Sequence, residues 1–268
     1  MLVLSNDALF VSILDPDTDT ARLGHRYNTG GSVFQVTDTR VGELLSGPTY
    51  PHDYNTYDGQ GLPDSFPERL SAGGPLALGL GVGLVDVERK VVVEPCRWDV
   101  NRDPGRLRFL TRHTWEGWDL ELERTLTLSG RTLHSLTRMT NRGNRPADLT
   151  WFPHPFYPPT RDQLFRPDVG FPLPEHRGFG LDSTGWVFRR AVPWTEASLV
   201  RVEYGAEAPA TQTFLQRHPK LGMVAARFDY APQKVVLWGN DRTFSFEPYL
   251  HRELPRGETT EWTATYDF

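Results

Sequence analysis

The sequence predicts an all-β protein, a large antiparallel β-sandwich with very little helix. Two observations carry this. Apolar and polar residues alternate with period two along successive short runs, as half-buried strands require. The chain's 24 glycines and 22 prolines leave no window longer than about ten residues with sustained helical periodicity. At 268 residues it can bury a substantial core, and sandwiches of this length commonly form one unit, so residues 1–268 are read as a single domain.

The elements follow in chain order. The run Gly79-Leu80-Gly81-Val82-Gly83-Leu84 lacks both the GxGxxG spacing and the Gly-Lys-Ser/Thr of a phosphate loop, and reads as a close-packed strand. Leu120, Leu122, Leu126 and Leu128 share one strand face, while Glu121, Glu123, Thr125 and Thr127 share the other. Leu133 to Met139 follows after Ser129-Gly130-Arg131, a short turn-like link that makes the two runs a hairpin. Asn141-Arg142-Gly143-Asn144-Arg145-Pro146 breaks the chain before a third strand, Ala147 to Phe152, so the three predict an antiparallel meander. The Pro-rich stretch Pro153 to Pro174 predicts a long ordered loop at a sheet edge. Strands resume at Met223 to Phe228, Lys234 to Gly239 and Thr243 to Glu247. The last, Trp262 to Phe268, places Trp262, Ala264, Tyr266 and Phe268 on one face.

Charge and composition narrow the function classes. A formal net charge of -5, with only Lys90, Lys220 and Lys234 among the lysines and arginines scattered, gives no electrostatic footprint for nucleic acid. Cys96 is the one cysteine, which excludes an intrachain disulfide. Met1 to Asp7 lacks a basic n-region, and no run approaches the ~20 consecutive apolar residues of a membrane span. The expectation is a cytoplasmic protein without a membrane partner.

Two segments stand out: Trp151-Phe152-Pro153-His154-Pro155-Phe156-Tyr157 and Phe244-Ser245-Phe246-Glu247-Pro248-Tyr249. Each presents one ionisable side chain among aromatics and prolines. Sugar rings offer apolar faces that stack on aromatic side chains and hydroxyls that need a few placed polar groups. Alternation puts Phe244 and Phe246 on one face and Ser245 with Glu247 on the other. A carboxyl buried there would have its pKa raised toward the range of a general base; taken alone it reads first as an exposed strand glutamate beside a proline. Pro153 and Pro155 restrict the backbone around His154 and fix the direction of an imidazole that titrates near neutrality. The other histidines form no HxH, HExxH or Cys/His cluster, and no Gly-x-Ser-x-Gly elbow is present.

The chain resembles the aldose 1-epimerases, or mutarotases, of the galactose mutarotase-like group (supersandwich). Four stretches carry the likeness: His25-Arg26-Tyr27-Asn28-Thr29-Gly30-Gly31; Leu133 to Asn141 with Gly143; His154-Pro155-Phe156; and Phe246-Glu247-Pro248-Tyr249 with Leu254-Pro255-Arg256-Gly257-Glu258. The resemblance implies an isomerase that interconverts the anomers of an aldose without metal or organic cofactor. It assigns His154 and Glu247 as the catalytic pair. Glu247 would remove the anomeric hydroxyl proton while His154 protonates the ring oxygen. It further implies Arg26 and Asp182 as sugar-binding residues. The family's second histidine, in a His-Gly-Gly-like segment, has no counterpart here, and His52 is the best positioned substitute. Tyr157, Tyr57 or Trp186 are expected to stack on the sugar. The pair should line one cleft, several ångströms apart, with room for a pyranose between. Two other readings stand beside this one: a noncatalytic carbohydrate-binding protein, and a hexose 6-phosphate mutarotase whose phosphate meets Arg161, Arg166 and Arg177.

Overall fold

Burial alternates residue by residue along the strands, as in Arg106–Trp115 and Ser198–Glu203, so each strand turns one apolar row inward. The computed structural model describes residues 1–47, 59–71, 73–190, 197–204 and 210–268; His52 and Tyr57 lie outside them. Within these residues the one helical element is a 3-10 turn, Thr20–Arg22. The protein is all-β, and its strand pairings are antiparallel.

The largest sheet has ten strands in the spatial order Asp99–Asp103, Arg106–Trp115, Trp118–Ser129, Thr132–Asn141, Thr259–Asp267, Gly222–Phe228, Gln212–His218, Gln163–Pro167, Val187–Arg189 and Phe179–Leu181. A five-stranded sheet runs Ser198–Glu203, Lys234–Gly239, Phe244–Leu254, Ala147–Pro153 and Asp64–Ser65. Two four-stranded sheets come from the N-terminal part, one spanning strands from Leu2 to Glu43 and one from Arg69 to Pro95.

The expected meander is corrected. Trp118–Ser129 and Thr132–Asn141 do form the hairpin, turning at Gly130 with φ 56°. Ala147–Pro153, however, leaves that sheet and pairs with Phe244–Leu254, and Thr259–Asp267 takes the vacated edge. The cause lies at Asn141. Its side-chain amide donates to the carbonyls of Arg145 and Leu254, which turns the chain toward the other sheet. Gly79 to Leu84 is likewise not one strand but the bend of a hairpin between Leu76–Gly79 and Gly83–Asp86. Gly83 has φ +121°, and a Cβ there would collide with the Glu94 carbonyl oxygen. Inside the Pro-rich stretch, Gln163–Pro167 is a strand of the large sheet rather than loop.

The core lies between the ten- and five-stranded sheets. Phe246 of the small sheet meets Phe165 and Phe214 of the large one, with ring centroids 5.4 and 5.1 Å apart. Trp151 meets Trp262 at 5.5 Å. Amid these rings Arg124 and Asp64, one from each sheet, form a buried ion pair, their side chains 4% and 2% exposed. Arg124 Nε also donates to Ser135 Oγ at 3.1 Å. Burial raises the Asp64 carboxyl above its ordinary range, and the Arg124 charge acts against it.

Removing one member leaves the other charge buried without its counter-ion, which typically costs about 3–5 kcal/mol. Arg124→Ala is expected to lower unfolding free energy by about that amount in urea titrations, and Arg124→Met with Asp64→Leu by distinctly less. Equal losses in both would contradict this account of the pair.

Candidate active site

Phe244–Leu254 builds one side of the site. Phe244 and Phe246 point into the inter-sheet core, where both contact Phe165. Ser245 and Glu247 therefore face away from the large sheet. Pro248 sits inside the strand because the neighbouring Ala147–Pro153 strand pairs only from Leu250 onward. On the other side Pro248 faces Val235, and its carbonyl accepts from the Tyr230 hydroxyl at 2.9 Å.

His154 follows the end of the Ala147–Pro153 strand, between two prolines that hold the backbone extended. Its backbone N–H donates to the Pro63 carbonyl at 2.8 Å. The imidazole stacks on Phe156 with centroids 4.4 Å apart and an interplanar angle of 16°. Tyr27 and Trp238 approach its edge, each 5.9 Å away.

The pair meets directly. His154 Nε2 lies 3.2 Å from Glu247 Oε1, with both side chains almost fully buried. The gap expected for a pyranose is closed in this structure. His154 Nδ1 is 3.1 Å from Ser245 Oγ, and the Tyr249 hydroxyl donates to Glu247 Oε2 at 3.4 Å. Burial disfavours both charged forms. It pushes the Glu247 carboxyl up to about 8, with Arg26 pulling the other way. It drives the His154 imidazole well below its ordinary value, and the Arg26 charge adds to that. Near neutrality these shifts favour a neutral pair with one transferable proton, in which the carboxylic acid donates to Nε2 and the imidazole keeps its own hydrogen on Nδ1, facing Ser245.

Arg26 joins this site. Its guanidinium lies over the Tyr27 ring at 4.9 Å, and its carbonyl accepts from Ser65 Oγ at 2.7 Å. The other expected residues lie elsewhere. Tyr157 is completely buried and stacks on Phe246 in the core, because its backbone bonds with Phe244 and turns the ring inward; it presents no face to a sugar. Asp182 organises a turn: Oδ1 accepts from the backbone N–H groups of Thr184 and Trp186 and from the Thr184 hydroxyl, and Oδ2 from Gln163 Nε2. It borders a separate open cavity of about 500 Å³ together with Arg166 and Asp168. Trp186 is buried, with the Arg166 and Arg217 guanidiniums over its ring. His52 lies outside the described residues.

Three site residues were not singled out from sequence: Ser245, Trp238 and Tyr249. The signal was available. Ser245 and Tyr249 stand two residues either side of Glu247 and so share its face, and Trp238 pairs with Ser245 across the sheet. Trp238 is half-buried.

No family model matches the chain, and no curated protein matches it in sequence. Solved structures do match. A galactose mutarotase related enzyme from Lactobacillus acidophilus aligns over 99% of this chain and 96% of its own, with a TM-score of 0.68 at 13% identity. A galactose mutarotase-like protein from Lactobacillus casei aligns over 100% and 99%, with a TM-score of 0.62 at 13% identity. An Escherichia coli protein provisionally described as an aldose 1-epimerase aligns over 99% and 97%, with a TM-score of 0.60 at 13% identity. The chain has the galactose mutarotase-like β-sandwich fold. Identities this low speak to the fold and not to the chemistry.

The raised Glu247 carboxyl carries a consequence for stability. Between its ordinary value of 4.5 and about 8, the folded protein keeps a proton that the unfolded chain has released, so this group's contribution falls as pH rises through that window. Glu247→Gln is neutral throughout. Denaturant unfolding is expected to show the variant gaining stability relative to wild type between about pH 5 and about pH 8. A pH-independent difference would contradict the raised carboxyl.

Proposed function

We propose that the protein is an aldose 1-epimerase-like isomerase, with His154 and Glu247 as its acid–base pair. The observation that carries the reading is the direct contact of these two groups, buried among aromatic rings and next to the half-exposed Trp238. Acid, base and a stacking surface are what the opening of a cyclic hemiacetal needs.

The proton count fits. Ring opening moves one proton from the anomeric hydroxyl to a base and delivers one from an acid to the ring oxygen. The bond from C1 to that oxygen breaks, and C1 becomes a carbonyl. Rotation about C1–C2 and reclosure in reverse give the other anomer, with no net proton gained or lost. The neutral pair and the pair with ionised Glu247 and protonated His154 hold the same transferable proton, so one transfer along their hydrogen bond reaches the state in which Glu247 is base and His154 acid. The Arg26 charge favours the ionised carboxylate and opposes the protonated imidazole. Sugar hydroxyls entering the site would supply further partners to both groups as they part to admit the ring.

The closed contact gives weight to a second reading, a sugar-binding protein without turnover. Substitution separates the two. Glu247→Gln keeps shape and polarity but cannot accept the anomeric proton, so it is expected to lower kcat for anomer exchange by about 100-fold or more while sugar binding stays measurable. Saturation-exchange NMR on a panel of aldoses measures this. An unchanged rate in the variant, or a wild type that never exceeds the spontaneous rate on a sugar it binds, favours the binding protein.

A further inference from the structure

The outer face of the five-stranded sheet forms a grid whose rows are set by register. Leu199, Trp238 and Ser245 make one row; Arg201, Val236 and Glu247 the next; Glu203, Lys234 and Tyr249 the third. In each row the residue from Ser198–Glu203 is exposed, and its two neighbours toward the acid–base pair are half-buried or buried.

Arg201 is the cation of the second row. Four arginines on or beside the large sheet face an acid, Arg108 with Glu123, Arg112 with Asp119, Arg138 with Glu261 and Arg142 with Glu121. Arg201 forms no ion pair among the described residues. Its charge is nevertheless felt at Tyr249, beside Glu247, and Lys234 Nζ sits 4.5 Å from the centre of the Tyr249 ring. With Arg26 on the opposite flank, a chain of net charge -5 gathers three cations around one pair. Neutral sugar hydroxyls would not call for such a concentration.

The separation is informative. Arg201 stands two strands from Glu247 in the same row, roughly 10 Å between Cα positions at ordinary strand spacing. Val236 is the small residue between them, and Trp238 flanks the gap. Arg201 and Glu247 stand on the same face of the sheet, Val236 between them is buried, and a separation of this order matches the span of one sugar ring admitted as the site opens. A ring with its anomeric carbon at Glu247 directs its far substituent toward Arg201.

We propose that Arg201 is a specificity-determining residue for an anionic substituent, a carboxylate or a phosphate, at the end of the aldose remote from the anomeric carbon. This rests on the sugar site proposed above. The planar guanidinium fork binds either oxyanion through two charge-assisted hydrogen bonds. Lys234, already drawn over Tyr249, adds charge on the same side.

The test compares glucose 6-phosphate, glucuronate and glucose with wild type, Arg201→Gln and Arg201→Lys, reading anomer exchange by NMR and binding by calorimetry. Wild type is expected to prefer one of the anionic sugars, and which one identifies the group. Arg201→Gln should lower kcat/KM for that sugar about 10- to 100-fold, leave glucose unchanged, and be partly rescued by Arg201→Lys. Glucose handled as well as both anionic sugars by wild type, or equal effects of Arg201→Gln on charged and neutral sugars, would overturn the proposal. If no sugar is turned over, the isomerase reading fails but this one is still decided by calorimetry. Anionic-sugar binding that weakens in Arg201→Gln supports it, whereas equal affinity in both proteins, or no saturable binding of either anionic sugar, refutes it.

Discussion

The site depends on how the two-residue strand Asp64–Ser65 is held. Its backbone pairs with Phe152 and Pro153, and the Pro63 carbonyl just before it takes the His154 N–H. The Ser65 hydroxyl donates to the Arg26 carbonyl, and the Asp64 carbonyl accepts from the Asn28 N–H. One short element thus fixes both the imidazole and the arginine that acts on it. The element is anchored in turn by its carboxylate, which pairs with Arg124 of the opposite sheet inside the core. A buried charge pair is a poor source of net stability, but it tolerates little displacement, because either ion alone is strongly disfavoured. Here that intolerance transmits the geometry of the large sheet to the site.

Burial also sets the chemistry. His154 and Glu247 are enclosed by Phe156, Tyr27 and Trp238, and desolvation works against charge on both. The outcome is a neutral, hydrogen-bonded pair holding one transferable proton. Such a pair rests uncharged and still converts to acid plus base by a single short transfer. The Arg26 charge favours the carboxylate and disfavours the imidazolium, and Ser245 orients the imidazole from its other nitrogen. The cations on the sheet's outer face extend the same logic from the reacting end of a sugar to its far end.

Much of this was legible in sequence, and the failures share one cause. Period-two alternation correctly predicted an all-β chain and divided Phe244 and Phe246 from Ser245 and Glu247, because a strand's two faces follow from local geometry alone. Alternation says nothing about which strand is the neighbour. Ala147–Pro153 was therefore expected beside Thr132–Asn141, although the Asn141 side chain diverts it to another sheet. Tyr157 looked like a site residue from its place in an aromatic segment, yet its backbone pairing with Phe244 turns it into the core. Asp182 is consumed by its own turn, a local role for which an aspartate ahead of Ser183-Thr184-Gly185 is well suited. Trp238 reaches the pair through its pairing with Ser245, and Arg201 falls into the row of Glu247 only once three strands are set in register.

The central claim is that His154 and Glu247 part to receive a sugar and act on its two oxygens. A crystal structure of the Glu247→Gln protein with a bound aldose tests it most directly. The account predicts the anomeric oxygen within about 2.6–3.2 Å of the residue 247 carboxamide and the ring oxygen at a similar distance from His154 Nε2. A sugar bound elsewhere, or in this cleft with its anomeric end turned away from both residues, would contradict it.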